Sequence, residues 1–124
     1  MAEPHPFRRA VEAKDLERMT ATLREDVELH SPILFRGFEG RETVMAIITH
    51  VADVLEDFAY TDEAVGDGTV VLRFKARVGE LELEGIDYLT LDEEGLVVDL
   101  TVFMRPMSAL NAFNAQMAER LGVA

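Results

Sequence analysis

Cysteine is absent from all 124 residues, which removes disulfides, thiolate nucleophiles and zinc–thiolate sites together. Basic residues are scarce: 12 Lys and Arg stand against 24 Asp and Glu, a formal charge of −12. A nucleic-acid surface needs a basic footprint to displace counterions, and this chain presents the opposite field. The same field disfavours anionic lipid surfaces. No apolar run approaches the roughly 18 residues that span a bilayer. The start, Met1-Ala-Glu-Pro-His-Pro-Phe7, has neither the basic nor the apolar region of an export signal, so a cytoplasmic protein is expected.

What remains is ordinary in bulk. An apolar fraction of 48% and a charged fraction of 29% suffice to fill and cover one domain, 1–124. Near the N-terminus Phe7, Ala10 and Val11 form one apolar stripe, and Leu16, Met19 and Leu23 a second at helical spacing. The Lys14-Asp15 step separates two predicted helices, with Asp15 a suitable N-cap. Val27, Leu29 and Ser31 alternate with Glu28 and His30, predicting a short strand that Pro32 ends. A helix is predicted over 41–55, with Val44, Ile47, Ile48, Val51 and Leu55 on one face.

From residue 58 the period changes to two. Strands are predicted over 58–65, 69–78, 81–91 and 96–104, with turns at Gly66-Asp-Gly68, Gly79-Glu80 and Asp92-Glu-Glu-Gly95. Ser108 is placed to cap a last helix that carries Leu110, Phe113, Met117 and Leu121 and stops at Gly122. Helices, an antiparallel meander and one final helix define an α+β fold.

A two-residue Gly79-Glu80 turn pairs Val78 with Leu81. Counting outward, Arg77 faces Glu82 and Lys75 faces Glu84 on one side of the sheet. On the other side Ala76 meets Leu83, Phe74 meets Gly85 and Leu72 meets Asp87. A slip of one residue would scramble both sets. A four-residue turn next pairs Leu91 with Leu96 and so Asp87 with Leu100. Asp87 therefore shares the apolar face with Leu72, Leu83, Leu89, Val98, Leu100 and Val102, where a carboxyl has its pKa raised or takes a partner. On the opposite face Val71, Ile86, Tyr88, Val97, Thr101 and Phe103 are predicted to cluster. That cluster is either scattered surface apolarity or, preferred here, a homodimer interface.

Six short stretches, Ala13-Lys-Asp-Leu16, Glu25-Asp-Val27, His30-Ser-Pro32, Phe38-Glu-Gly-Arg41, Gly85-Ile-Asp87 and Asp92-Glu-Glu-Gly95, resemble in order and spacing the nuclear transport factor 2-like superfamily. Its SnoaL-like polyketide-cyclase branch is the most similar. The resemblance implies a cone: a curved antiparallel sheet wrapped around the N-terminal helices, a pocket opening at one end and the C-terminal helix near the mouth. It also implies homodimers, and activities ranging from steroid isomerisation and epoxide hydrolysis to cyclisation and plain ligand binding. In the pattern of ketosteroid isomerase, Asp87 matches the protonated carboxyl of the oxyanion hole. The catalytic base matches Ser31, however, and the first-helix tyrosine matches Phe7. The arginine of limonene epoxide hydrolases matches Gly85. In SnoaL-like cyclases the strand carboxyl is retained as acid/base, which is Asp87.

The catalytic candidates are Asp87 and His30, Asp87 as acid/base, as a neutral donor to a ligand carbonyl, or as a structurally satisfied carboxyl. His30 reads either as a base near the mouth or, by alternation with Glu28, as a surface side chain. Phe7, Ser31, Phe35, Phe58, Leu72, Phe74, Leu89, Val102, Met104 and Phe113 are the candidate walls of a pocket for an apolar small molecule, or simply core. His50 reads as a boundary residue, His5 as part of a flexible start, and Arg105 as an anion clamp or a surface ion-pair partner. No metal and no cofactor is expected, because the three histidines lack two-ligand helical spacing. The expected function is acid/base chemistry on a carbonyl-bearing ligand, with a non-catalytic binding protein and a dimeric interaction module as alternatives.

Overall fold

The structure is a computed structural model that describes residues 3–122; Met1, Ala2, Val123 and Ala124, the ends of the expected domain, lie outside the described residues. Helix α1 (Pro6–Glu12) ends where Lys14 takes a left-handed φ of 54°. The amides of Lys14 and Asp15 then reach back to the carbonyls of Val11 and Ala10, each at 3.0 Å, which closes the helix. The Asp15 carboxylate accepts from the amide of Arg18 at 3.1 Å and starts α2 (Leu16–Thr22).

His5 is tied down at every polar group. Its Nδ1 accepts from the Phe7 amide and its Nε2 lies on the Gly95 carbonyl, both at 3.0 Å, while its own amide donates to Glu63 at 3.1 Å. Arg8 donates to the other Glu63 oxygen at 3.2 Å. The start expected to be flexible is thus an anchored cap that fixes α1 to the sheet.

Strand β1 (Leu23–His30) begins four residues before the expected Val27, directly after α2. Leu23, assigned by spacing to a helical stripe, instead pairs with Val97, far along the chain, and is fully buried. Tertiary pairing has overridden a weak local preference. Then follow β2 (Phe38–Glu39), α3 (Arg41–Val54), β3 (Glu56–Val65), β4 (Thr69–Val78), β5 (Leu81–Leu91), β6 (Val97–Arg105) and α4 (Met107–Leu121). Ser108 makes no cap: α4 starts at Met107 after Pro106, and Gly122, with φ 72°, terminates it. No helix among the described residues is long and apolar enough to cross a membrane.

The sheet is curved and open, in the order β2-β1-β6-β5-β4-β3. All its pairings are antiparallel except β1 with β6, which is parallel. The β4–β5 register agrees at every pair with that counted from the Gly79-Glu80 turn, Leu72 opposite Asp87 included. The β5–β6 register does not. Asp87 faces Val102 rather than Leu100: the turn takes in Leu96, so that Leu91 pairs with Val97, and Val98 is then an extra residue before the Thr90↔Asp99 pair. The resulting shift is an even number of residues, so Asp87 keeps its face. At the bulge Val97 turns inward and is fully buried, which removes it from the outer cluster.

Strand β3 has two register shifts, at 56–59 and 60–62, with Asp57 at a φ of 52°. Such irregularities bend a strand sharply, and here they carry Phe58, Tyr60 and Glu63 over α1. The inner sheet face, α1, α3 and α4 enclose the core, in which Leu23, Val27, Val44, Leu72, Phe74, Leu89 and Val97 are fully buried.

Gly85 is essential to this packing. A Cβ there would overlap the Phe103 carbonyl oxygen and lie 2.6 Å from Phe74 Cζ. The absent side chain lets the Phe74 ring lie across β5. Gly85→Ala is expected to destabilise the fold by about 1–3 kcal/mol through overpacking. Urea unfolding measures this directly, and an unchanged midpoint would contradict the packing described.

Candidate functional site

Asp87 sits in the middle of β5, between Leu72 and Val102, facing inward and 8% exposed. Tyr60, also 8% exposed, reaches over from β3 and donates its hydroxyl to Asp87 Oδ2 at 2.7 Å. The phenol is held by its neighbours: its ring meets Phe58 edge-on at 4.9 Å and Phe74 at 6.5 Å, and the Arg8 guanidinium lies 5.9 Å from its centroid. Phe58 and Phe74 stack at 4.9 Å. Sequence reasoning missed Tyr60. The available signal was its place two residues after Phe58, on the same strand face, and the need of an inward Asp87 for a donor.

Asp87 and Tyr60 open onto a cavity of about 1290 Å³ between the sheet, α1–α2, α3 and α4. Phe7, Phe58, Phe74 and Phe113 supply aromatic wall, and Val102, Met104 and Ser31 complete the predicted residues that line it. Ile47, Ile48 and Val51 of α3 and Met117 and Leu121 of α4 line it too, from helices that the sequence had placed only as amphipathic. Three predicted wall residues are elsewhere. Phe35 is fully exposed at a loop tip, because the chain turns outward there: Ser31 Oγ accepts from the amides of Ile33 and Leu34. Leu72 and Leu89 are wholly buried in the core rather than on the cavity wall.

His30 is not with Asp87. It lies on the outer sheet face, its Nε2 3.0 Å from Asp99 and 3.5 Å from Glu28. Alternation along β1 explains this: Leu29 points into the core, so its neighbour cannot. Arg105 pairs with Glu84 on the surface at 3.3 Å. His50, on α3, has a buried Nδ1 without a hydrogen bond among the described residues and does not line the cavity. Among the described residues, Glu28, His30 and Asp99 bring one potential ligand atom each within 4.8 Å of one another.

Burial pushes the Asp87 carboxyl up to about 6, against the pull of the Tyr60 hydrogen bond, which favours the ionised form. Burial first, and then the Asp87 charge, hold the Tyr60 phenol well above its usual range. Tyr60 is therefore a neutral donor, while Asp87 can hold or release a proton near neutral pH. The other carboxylates lining the cavity, Glu12, Asp53 and Asp57, are paired with Arg8, Arg120 and Arg77. Among the described residues Asp87 has no arginine or lysine partner.

A curved sheet closed by helices around an apolar cavity, with a carboxyl–phenol pair inside, defines a cone-shaped small-domain class. Within it, the chain belongs to the SnoaL-like domain family, whose sequence profile matches residues 6–100. Among solved structures it is similar to a steroid delta-isomerase from Pseudomonas aeruginosa, with 39% identity and a TM-score of 0.88 over 94% of this chain and 86% of that one. A bacterial protein with a cystatin-like fold from Silicibacter pomeroyi is 32% identical, with a TM-score of 0.89 over 94% of this chain and 83% of that one. An NTF2-like protein from Cytophaga hutchinsonii shares the fold, at 17% identity and a TM-score of 0.66 over 85% and 88% of the two chains. No curated protein sequence matches the chain.

The raised Asp87 pKa gives a signed prediction. An unfolded aspartate ionises near 3.8. Between that pH and about 6 the folded state binds the extra proton, so stability falls as pH rises through this window and levels off above it. Asp87→Asn keeps an acceptor for Tyr60 and removes the buried charge. It is expected to be more stable than the parent by up to about 3 kcal/mol above pH 7, with the difference gone near pH 4. Unfolding curves across pH test this; equal stability at both ends of the range would contradict it.

Proposed function

We propose that the chain is a cofactor-independent cytoplasmic enzyme that moves a proton on an apolar, carbonyl-bearing small molecule, with Asp87 as the acid/base. The carrying observation is a lone carboxyl, without a cation and tuned to about 6, at the wall of a largely apolar cavity. As a carboxylate, Asp87 takes a proton from the carbon beside the ligand carbonyl. As the acid, it returns that proton to another carbon of the resulting enolate, so that a double bond migrates and no atom is gained or lost. Tyr60 acts as a positioning residue: it occupies Oδ2, and Oδ1 accepts no hydrogen bond from the described residues. The steroid delta-isomerase with 39% identity supports an isomerase among the possible outcomes.

Ser31, at the position that matches the base of ketosteroid isomerase, accepts two backbone amides in its own turn, so a single carboxyl carries both transfers in this reading. The same isolation of Asp87 supports a second reading, a non-catalytic binding protein that orients its ligand through Asp87.

The discriminating experiment incubates the protein with a steroid β,γ-unsaturated ketone and follows the ultraviolet absorbance of the conjugated product. Under the enzyme reading the rate rises with pH through about 6 as Asp87 ionises. Asp87→Asn abolishes turnover with binding retained, and Tyr60→Phe moves the pH midpoint upward, because the lost hydrogen bond favoured the carboxylate. Ligand bound and recovered unchanged supports the binding protein; full activity in Asp87→Asn eliminates Asp87 from the chemistry.

We further propose a homodimer through the outer sheet face. Tyr88 and Phe103, 38% and 53% exposed, stand there with Val71, Ile86 and Thr101 in adjacent register rows. Around them Arg73 and Arg105 both pair with Glu84 and Arg73 also pairs with Asp62, so the charges of this patch balance in a chain of charge −12 and two copies can approach. Phe103→Glu should convert a dimer to a monomer in sedimentation equilibrium. A parent protein already monomeric at high micromolar concentration would overturn this reading.

A further inference from the structure

The outer face of the sheet carries a second cluster, on the far side from the cavity. Cross-strand register places Glu39 of β2 opposite Glu28 of β1, and Glu28 opposite Asp99 of β6. Like charges directly opposite each other destabilise a sheet. Among the described residues, no lysine or arginine pairs with Glu28 or Asp99; the one side chain they share is His30. Alternation places Glu28 and His30 on the same side of β1, next to Asp99, so the three side chains rise together from two hydrogen-bonded strands.

Their geometry is that of ligands around a small cation. His30 Nε2 is 3.0 Å from Asp99 Oδ2 and 3.5 Å from Glu28 Oε2, and one donor atom from each residue lies within 4.8 Å of the others. Ligand atoms about 2.0–2.2 Å from a tetrahedral ion are separated by distances of this order. The surroundings hold two of the ligands. Thr101 Oγ1 donates to Asp99 Oδ1 at 2.8 Å, which directs the other oxygen toward the imidazole. The backbone of Gly37 packs against the His30 ring so closely that a Cβ there would lie 2.7 Å from Cε1. The ring is thereby confined with Nε2 facing the carboxylates.

We propose that Glu28, His30 and Asp99 bind one divalent transition-metal ion of the Zn²⁺ type, with water completing its coordination. A neutral imidazole donates through Nε2 and each carboxylate through one oxygen. An imidazole ligand favours Zn²⁺ over Mg²⁺ or Ca²⁺, which prefer all-oxygen shells. The bound ion neutralises the acidic row and clamps β1 to β6, the parallel pairing of the sheet. The site is separate from the Asp87 cavity and owes nothing to its chemistry.

The test is calorimetric titration of the intact protein with Zn²⁺, alongside its thermal midpoint. The expected result is saturable binding of one ion per chain, a raised midpoint that a chelator returns to its starting value, and a much weaker response to Mg²⁺. His30→Gln and Asp99→Asn, both compatible with this exposed face, should each weaken Zn²⁺ binding by more than about tenfold. In the unmutated protein, Co²⁺ should broaden the NMR signals of β1 and β6 around His30 and Thr101. No saturable binding at millimolar Zn²⁺, undiminished binding in both variants, or broadening centred elsewhere would each overturn the proposal.

Discussion

The register of the β4–β5 hairpin is the constraint on which the site depends. With Leu72 opposite Asp87, the strand carboxyl points into the cone and the charged row Arg73, Lys75, Arg77 points out. A slip of one residue would bury those cations and expose Leu72, Phe74 and Leu83, at a cost far above the net stability of a small domain. The apolar alternation of β4 therefore holds Asp87 in a place that its own solvation energy opposes. Gly85 completes the arrangement by leaving room for Phe74, whose ring forms part of the wall beside Tyr60.

Two opposing effects set the character of that carboxyl. Loss of water favours its neutral form, and the Tyr60 hydroxyl favours its charged form. Burial dominates, but one charge-assisted hydrogen bond keeps the proton exchangeable near neutral pH. A lysine or arginine partner would have favoured the ionised form further; Glu12, Asp53 and Asp57 each have an arginine beside them, and Asp87 has none among the described residues. The bulges of β3 are what bring Tyr60 within reach, so the chemistry of β5 depends on irregularity two strands away.

Much of the architecture was legible because it rests on short-range rules. The two-residue Gly79-Glu80 turn and opposite-charge pairs specify β4–β5, and the Asp15 cap marks α2. Legibility failed where longer contacts decided. Leu23 obeys helical spacing yet joins β1, because β6 offers it a pairing partner. The turn that runs through Leu96 pairs Val97 with Leu91 and buries it, where alternation had placed it outside, and the Val98 bulge shifts the rest of β6 by one more residue. Within the site, Asp87 could be assigned to the inner face by counting. Tyr60 could not be matched to it by counting, since a register shift between Tyr60 and Asp62 lies between the turn and their contact. Phe35, a large apolar residue, was placed on the wall by composition alone, and the turn organised by Ser31 sends it to solvent.

Taken alone, the residue order determines the class of fold, the face on which Asp87 lies and the absence of thiol chemistry, because periodicity, turn length and composition act locally. The cavity, the Tyr60 partner and the meeting of Glu28, His30 and Asp99 were decided only by tertiary structure. Each is a distance between residues on different strands or helices, and such distances follow from sheet curvature, bulges and the parallel β1–β6 pairing rather than from any local pattern.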